Sequence, residues 1–209
     1  MKLYGYWRST TSYRVRIALN LKGIAVTTVP VNLLRGEHKA SDYAALNPGL
    51  GVPTLVTGAG AILTQSMAIL EWLEETHPEP ALLPRDALHR AHVRAAALVI
   101  ATDVHPVNNL RLVARLKEMG HSQDETVAWM NDWMAQGLTA FAALIRQDTP
   151  YCFGTTPGLA DICLIPQLFS AHRWGLDLSN YPRLTEIETR CLALPAFATA
   201  RPEAQSDAT

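Results

Sequence analysis

Residues 8–23 read RSTTSYRVRIALNLKG, and this stretch decides the fold of the first part of the chain. Apolar side chains recur at helical spacing after the polar run of residues 8–12, and a glycine follows them, as is typical just past a helix end. The pattern predicts a helix over residues 12–22, with Arg14 and Arg16 on faces other than the apolar one.

The segments on either side of this helix have the composition of strands. Residues 2–6 are rich in aromatic and bulky side chains, and residues 25–32 are rich in Val and Thr. Strand, helix and strand in this order predict a β-α-β unit with a parallel pair of strands. Pro53 then opens a third strand, and the peptide bond before it is a candidate for the cis form. A fourth strand follows a glycine-containing turn, and Ser66 is placed to cap the next helix.

Prolines at positions 78, 80 and 84 predict a stiff linker between two domains. The elements before it predict a thioredoxin-like α/β domain over residues 1–80, with a mixed four-stranded sheet and helices. Residues 86–209 are predicted to form an all-helical domain, because apolar residues recur there at helical spacing. Its expected helices are residues 87–101, 125–146 and 159–174. The polar tail after Pro202 is expected to fray.

The composition of the chain indicates which kinds of partner to expect and in which cellular compartment the protein works. The 209 residues include 19 acidic and 18 basic side chains, so the counterion-releasing basic surface of a nucleic-acid binder is not expected. We expect no membrane partner, because no window approaches about 18 consecutive apolar residues. Three cysteines without metal-ligand spacing favour the reducing cytoplasm, and no metal site is assigned, because His89 and His92 have no third ligand. Apolar residues make up 48% and charged ones 18%, which favours a homodimer with a buried interface.

Several motifs resemble one family of enzymes. Residues 9–23 closely resemble the signature of the zeta class of glutathione transferases, Ser-Ser-Cys-x-x-x-Arg-Val-Arg-Ile-Ala-Leu. Further matches are Leu46-Asn47-Pro48, Val52-Pro53-Thr54-Leu55, Gln65-Ser66-x-Ala68-Ile69, Leu82-Leu83-Pro84, Pro106-x-x-Asn109-Leu110 and Ala160-Asp161-Ile162-Cys163-Leu164. The resemblance covers nearly the whole chain. It implies the glutathione transferase fold, a homodimer, and glutathione as the cofactor.

The same resemblance implies a reaction. Zeta-class enzymes include maleylacetoacetate and maleylpyruvate isomerases, so the expected activity is glutathione-dependent cis-trans isomerisation of a maleyl keto acid in aromatic catabolism. The glutathione thiolate adds to the double bond, the resulting single bond rotates, and elimination gives the fumaryl isomer. The chain departs from the signature at Thr10 and Thr11, where the family usually has Ser and Cys. The thiol must therefore come from glutathione itself.

The candidate catalytic residues are Ser9, Thr10 and Thr11 at the start of the first helix. A helix N-terminus and a hydroxyl hydrogen bond both lower the pKa of a thiol, so Ser9 is our first choice as the donor to the thiolate. Which of the three hydroxyls carries that bond stays open. The alternative interpretation is that this run only caps the helix.

Other residues are expected to hold the rest of glutathione. Gln65 and Ser66 at a helix start suit the γ-glutamyl carboxylate. By resemblance, Val52 before Pro53 pairs through its backbone with the cysteinyl unit, and His38 is placed to reach the glycyl carboxylate. By resemblance, Asp103 and His105 lie on the helix expected to line the dimer interface, and the further cofactor candidates are Asn108 and Asn109.

A maleyl keto acid is a dicarboxylate, and arginine binds carboxylates through its planar fork. The substrate-binding candidates are Arg8, Arg111 and Arg173, of which Arg8 and Arg173 match arginine positions of the family. Arg173 also lies late in an otherwise apolar predicted helix, where a charge needs a reason. The alternative for each is an ordinary surface arginine. Asp161 is interpreted as structural, in a capping box that is weakened because Gly158 replaces the family's usual threonine.

Two alternatives to the isomerase remain open at this stage. The first is a detoxifying transferase or dehalogenase that consumes glutathione. The second is a noncatalytic interaction module with the same fold. The sequence leaves three further points open: the choice between maleylpyruvate and maleylacetoacetate, the carboxylate that each arginine holds, and the need for the dimer in activity.

Overall fold

The structure is a computed structural model that describes residues 1–208. Contacts between residues divide the chain into two compact units. The first unit contains Met1–Ala81 together with the segment from Leu192 onward, and the second is Leu82–Cys191. None of the helices in the described residues is long and apolar enough to cross a membrane.

The first unit is built on the mixed four-stranded sheet that the sequence predicts. Its strands are β1 (Lys2–Gly5), β2 (Thr27–Pro30), β3 (Thr54–Val56) and β4 (Ile62–Thr64), in the order β2-β1-β3-β4. Strands β1 and β2 are parallel, whereas β3 is antiparallel to both β1 and β4. Its first three helices are α1 (Thr10–Leu21), α2 (Ser41–Leu46) and α3 (Ser66–Thr76), with a 3-10 helix at Glu37–Lys39. Helices α1 and α3 pack together over a core that includes Leu3, Ile17, Leu55 and Ile69.

Two helix starts in the first unit differ from the predicted ones, and the helix predicted over residues 125–146 is Gln123–Leu144. Helix α1 begins at Thr10 rather than residue 12, because Ser9 caps it and accepts a hydrogen bond from the Ser12 N–H. The prediction that Ser66 caps α3 is wrong, because Gln65 occupies the cap position and Ser66 is the first helical residue. The Val52-Pro53 peptide bond is cis, as expected.

The second unit is helical, as predicted. Its elements are α4 (Ala87–Leu98), a π-helix (Val99–Val104), a 3-10 helix (Pro106–Asn108), α5 (Leu110–Glu118), α6 (Gln123–Leu144), α7 (Leu159–Arg173) and α8 (Pro182–Leu192). The sequence interpretation did not identify α5 and α8. The predicted helix over residues 87–101 is α-helical only to Leu98, where the π-helix begins and packs against α6. A side chain at Gly137 of α6 would overlap Val104, which explains the glycine at this contact.

Asp161 forms the cap of α7 that the sequence predicts. Its carboxylate accepts the Gly158 N–H at 2.8 Å and the Cys152 N–H at 3.0 Å. Gly158 lies against Leu82, because the Leu159 N–H donates to the Leu82 carbonyl at 2.9 Å. A Cβ on residue 158 would stand only 2.8 Å from that carbonyl oxygen. Close backbone approach therefore favours glycine at the start of α7.

Replacing Gly158 with alanine is expected to destabilise the protein by about 1–3 kcal/mol, because a backbone carbonyl would have to move. Gly154→Ala is the matched control, since the nearest atom to its added Cβ is the Thr156 carbonyl oxygen at 4.0 Å. Urea unfolding followed by circular dichroism measures both variants. Equal midpoints for the two would contradict the packing described for Gly158.

The C-terminal segment packs on the first unit. It contains α9 (Pro195–Ala198) and a 3-10 helix (Pro202–Ala204), and α9 packs against α1. Arg16 donates to the Ala200 carbonyl at 2.9 Å, and the Trp7 N–H donates to the Asp207 carboxylate at 3.0 Å. The sequence assignment of this segment to the helical domain, and the expected fraying after Pro202, are corrected by these contacts.

Candidate active site

The start of α1 joins three predicted site residues in one hydrogen-bond network. The Ser9 and Thr11 hydroxyl oxygens lie 2.9 Å apart, and Thr11 donates to the Val52 carbonyl at 2.8 Å. A threonine hydroxyl has one proton, so the Ser9 hydroxyl is the donor in the bond to Thr11. Ser9 also accepts the Ser12 N–H at 3.2 Å. The network therefore ties the cap of α1 to the loop before β3.

The electrostatic environment of this network favours an anion. The first turn of α1 consists of Thr10, Thr11, Ser12 and Tyr13, all uncharged. The positive end of the helix dipole is therefore not offset by an acidic side chain in that turn. Ser9, Thr10 and Thr11 are each partly exposed, so the start of α1 reaches the surface of its unit. These conditions suit a thiolate beside Ser9.

Asn47 holds the loop that presents Val52, and the sequence interpretation did not assign it a role in the site. Its side-chain amide donates to the Gly51 carbonyl at 2.8 Å and to the Thr54 hydroxyl at 3.0 Å. Its amide oxygen accepts the Gly49 N–H at 3.0 Å. The loop backbone is thus fixed on both sides of the buried Pro53. The sequence signals at Asn47 were the turn-forming Asn-Pro-Gly run and the Leu46-Asn47-Pro48 motif match.

Gln65 and Ser66 form the start of α3. Gln65 has a φ of 68°, which is uncommon for a residue other than glycine and typical of functional sites. Ser66 is buried, and its hydroxyl lies 3.4 Å from the donating Arg14 guanidinium. Arg14 is itself buried, so a positive charge lies beneath this helix end. The sequence interpretation did not anticipate a buried cation at this helix end, where its charge favours an anion.

His38 lies in the 3-10 helix after β2 and is partly buried. Burial, followed by the charge of Lys39, lowers the pKa of His38 below its ordinary value of 6.5. Within residues 1–208, its buried Nδ1 makes no hydrogen bond. The ring is therefore neutral at pH 7 and can offer a hydrogen bond rather than a charge.

His38→Ala is expected to weaken glutathione binding only a few-fold, the value of one neutral hydrogen bond. The ratio of the glutathione dissociation constants of variant and wild type should be the same at pH 7 and pH 8, because the lowered pKa of His38 leaves the ring neutral at both. Below that pKa the wild-type ring gains a charge, and binding should strengthen relative to the variant. Calorimetric titration across this range measures the effect, and a ratio that changes between pH 7 and pH 8 would contradict it.

Arg8 is partly buried beside Ser9. Its guanidinium lies 5.3 Å from the Trp7 ring and 6.0 Å from the Tyr6 ring. Such stacking leaves the in-plane N–H groups available, and no hydrogen bond among residues 1–208 uses the Arg8 guanidinium. Arg8 therefore has the donors that a carboxylate needs.

The second unit contains five candidates in the region of residues 103–111, of which Asp103, Asn108 and Asn109 make hydrogen bonds within the unit. Asn108 donates to the Met130 carbonyl at 3.3 Å, which directs its amide onto α6. Asn109 caps α5 and accepts the Arg111 N–H at 3.1 Å. Asp103 is exposed and accepts from Thr102 at 2.8 Å. The two asparagines thus have structural contacts that the sequence interpretation did not anticipate.

The remaining candidates in this unit differ in setting. His105 is partly exposed at the end of the π-helix, and Arg111 is exposed in the first turn of α5. Arg173 is exposed in the last turn of α7, and its guanidinium lies 4.5 Å from the Trp174 ring. Because a helix C-terminus favours a cation, the charge of Arg173 does not by itself require a ligand. The role of Arg173 in binding substrate stays a prediction.

The cysteines are unsuited to act as nucleophiles. Cys152, Cys163 and Cys191 are free and buried. Burial raises the pKa of the Cys152 and Cys191 thiols well above the ordinary value. In the described residues there is also no group of three or more side chains that could hold a metal ion. Chemistry that needs a thiolate must therefore use a thiol from a ligand.

Comparisons with known proteins agree with this geometry. The N-terminal domain family of glutathione S-transferases matches residues 8–76, and the C-terminal domain family matches residues 127–190. A maleylacetoacetate isomerase of Pseudomonas aeruginosa is 47% identical over 209 residues, which cover 99% of this chain and 98% of that protein. A solved holo structure of a bacterial maleyl pyruvate isomerase, a glutathione S-transferase of the zeta class, has a TM-score of 0.97 and 45% identity, with 100% of both chains covered. This chain belongs to the zeta class of the glutathione S-transferase family.

The zeta-class assignment confirms the fold and the family that the sequence motifs indicated. A further solved structure, a maleylacetoacetate isomerase of Methylobacterium extorquens with bound malonate and glutathione, has a TM-score of 0.95 and 37% identity, with full coverage of both chains. That relative holds glutathione together with a small dicarboxylate. In the present zeta-class chain, Ser9, the Val52 backbone and the start of α3 lie in the family's N-terminal domain.

Proposed function

We propose that the protein is a glutathione-dependent cis-trans isomerase that converts a maleyl keto acid, maleylpyruvate or maleylacetoacetate, into its fumaryl isomer in aromatic catabolism. The observation that carries the proposal is the Ser9-Thr11-Val52 network at the N-terminus of α1, in a chain whose own cysteines are buried. Full-length similarity to isomerases of both names supports the same reaction.

The residues of the first unit fit glutathione. Hydroxyls at the start of α1 suit its thiol, the Val52 backbone suits its amide groups, and the start of α3 above the Arg14 charge suits a carboxylate. When bound, glutathione supplies a thiolate that adds reversibly to the cis double bond. The protein residues have to lower the pKa of that thiol and orient the keto acid.

Ser9 is the residue that we assign to the thiolate. Its single proton points to Thr11 in the ligand-free network, so donation to sulfur requires that bond to break. Thr11 is committed to the Val52 carbonyl and keeps its own proton there. Thr11 and Thr10 therefore support the site rather than share the bond to sulfur. The dipole of α1 adds to the stabilisation of the anion.

Arg8 is assigned to the keto acid. Addition of a nucleophile to a carbon–carbon double bond that is conjugated with a carbonyl group places negative charge on the carbonyl oxygen. A cation in a partly buried site stabilises that charge. Arg8 has unengaged N–H donors next to Ser9, so it can bind a carboxylate or the developing oxyanion. Arg111 and Arg173 are the candidates for the second carboxylate.

The proposal extends to assembly and compartment. Leu88 and Leu98 on α4 are 64% and 41% exposed, which suits a homodimer interface. Three free thiols suit the reducing cytoplasm. Light scattering of the purified protein tests the dimer, and a monomeric mass at assay concentration would exclude it as the working form.

A spectrophotometric time course tests the proposed reaction. Purified protein is mixed with maleylpyruvate and, separately, with maleylacetoacetate, each with and without glutathione, while the fumaryl product is followed. We expect product only when glutathione is present, and the faster reaction identifies the substrate. No product from either keto acid would reject the isomerase, and formation of a stable conjugate would identify a detoxifying transferase instead.

A further inference from the structure

The C-terminal segment holds the loop between β1 and α1 through Trp7. The Trp7 N–H donates to the Asp207 carboxylate at 3.0 Å, although the two residues are 200 positions apart. The Trp7 carbonyl accepts from the Arg16 guanidinium at 2.9 Å. Both polar groups of this residue's backbone are therefore held from outside the loop.

Arg16 connects the C-terminal segment to Trp7 through two hydrogen bonds. Its Nε donates to the Ala200 carbonyl at 2.9 Å, and the guanidinium lies 5.4 Å from the Tyr13 ring. Burial lowers the pKa of Arg16 to about 10, and the negative charge of Asp207 acts in the opposite direction. Asp207 thus helps to keep the buried Arg16 guanidinium charged, and this guanidinium donates to the Trp7 carbonyl.

The loop fixed in this way carries the proposed chemistry. Arg8 and Ser9 follow Trp7 directly, and the Arg8 guanidinium stacks on the Trp7 ring. Elsewhere in the loop, the Ser9 N–H donates to the Tyr6 carbonyl at 3.0 Å and the Tyr6 N–H to the Ser12 hydroxyl at 3.4 Å. These bonds fix the residues on each side of the Trp7-Arg8 step but not the Trp7 N–H.

We propose that Asp207 is a positioning residue, which orients the Arg8 guanidinium for a substrate carboxylate by holding the Trp7 backbone and its ring. This inference rests on the proposed function only in assigning the keto acid to Arg8. The C-terminal tail is then part of the active-site framework, since a residue near the end of the chain determines where a substrate-binding cation stands.

Three variants test the role of Asp207. Asp207→Ala removes the acceptor, Asp207→Asn keeps an oxygen that can accept the Trp7 N–H, and Glu203→Ala removes an exposed carboxylate of the same segment, 3.8 Å from Arg201. Hydrogen exchange is measured by mass spectrometry on the peptide that covers residues 4–9. Steady-state constants for the keto acid are measured at saturating glutathione.

We expect Asp207→Ala to increase exchange in the peptide of residues 4–9 and to raise the KM for the keto acid about tenfold, with a smaller change in kcat, as for one lost charge-assisted hydrogen bond. Asp207→Asn should recover part of both effects, because its amide oxygen can accept the Trp7 N–H but carries no charge, and Glu203→Ala should match the wild type. Unchanged exchange in Asp207→Ala would overturn the inference. Increased exchange with wild-type kinetics would also overturn it, because the loop contact would then be only structural.

Failure of the proposed function gives a different result from failure of this inference. If the wild-type protein isomerises neither keto acid, the proposed function is wrong, and the Asp207 variants are compared by calorimetric binding of malonate in the presence of glutathione. Weaker malonate binding by Asp207→Ala, with recovery in Asp207→Asn, would support the positioning of Arg8. Equal binding by all variants would reject it.

Discussion

Ser9→Ala is expected to lower kcat/KM for the keto acid about a hundredfold, because the thiolate loses its hydrogen-bond donor at the N-terminus of α1. The pKa of glutathione bound to this variant should rise towards that of the free thiol. Ultraviolet difference absorbance of the thiolate, recorded against pH, measures this pKa directly.

Loss of the helix cap has to be separated from loss of the donor. Ser9 caps α1, and alanine at such a position costs about 1 kcal/mol of stability, whereas glycine costs only a few tenths. Ser9→Gly should therefore show the same loss of kcat/KM as Ser9→Ala, but its stability should be close to that of the wild type. Thr11→Val should lose less activity than either, because Thr11 donates to Val52. Wild-type activity in Ser9→Gly would refute the assignment of the thiolate to Ser9.

Arg8→Ala is expected to reduce kcat/KM for the keto acid about a hundredfold while leaving glutathione affinity within about threefold of wild type. The reason is that the Arg8 guanidinium offers a carboxylate two parallel donors. Arg8→Lys should recover only part of this loss, since an ammonium group cannot reproduce the planar fork. Steady-state kinetics and calorimetry on the same preparations separate the two ligands.

Arg115→Ala provides the matched control for removing one positive charge. Arg115 is 67% exposed on α5 and pairs with Glu118, so its loss should leave both constants unchanged. An Arg8→Ala variant that loses glutathione binding to the same extent as turnover would place Arg8 in the glutathione site instead of the substrate site.

Local sequence patterns predicted the features that depend on local physics. The helical spacing after Ser9 located α1, and the Asp161 position relative to Gly158 identified the cap of α7. The strand segments and their β-α-β order predicted the mixed sheet. The anion-binding role of the hydroxyls at the start of α1 stays a prediction. The helix and cap inferences use residues within a few positions of one another, and the β-α-β unit is continuous in the chain.

Features that depend on distant contacts were not predictable in this way. Arg14 and Arg16 were placed on the faces of α1 away from the apolar one, yet the structure buries both, because α3 and the C-terminal segment pack against α1. The polar tail around Asp207 carried no periodic signal, since its contacts use backbone groups 200 positions away. The cap at Gln65 depends on a positive φ that its side chain does not indicate.

The substrate could not be chosen from the sequence for a similar reason. Maleylpyruvate and maleylacetoacetate differ in the part of the molecule beyond the double bond, so discrimination depends on the shape of the substrate site. The relatives that share most of this chain include isomerases of both names. The residues assigned here, Ser9 and Arg8, act on the groups that the two keto acids have in common.

The most direct test of glutathione as a regenerated cofactor is the amount of fumaryl product formed for each glutathione molecule present. Purified protein is given the keto acid in large molar excess over glutathione, and product and free thiol are quantified at completion. We expect complete conversion of the keto acid with the free thiol unchanged, because glutathione is regenerated in every cycle. Conversion that stops when it equals the glutathione supplied, with loss of the free thiol, would contradict it.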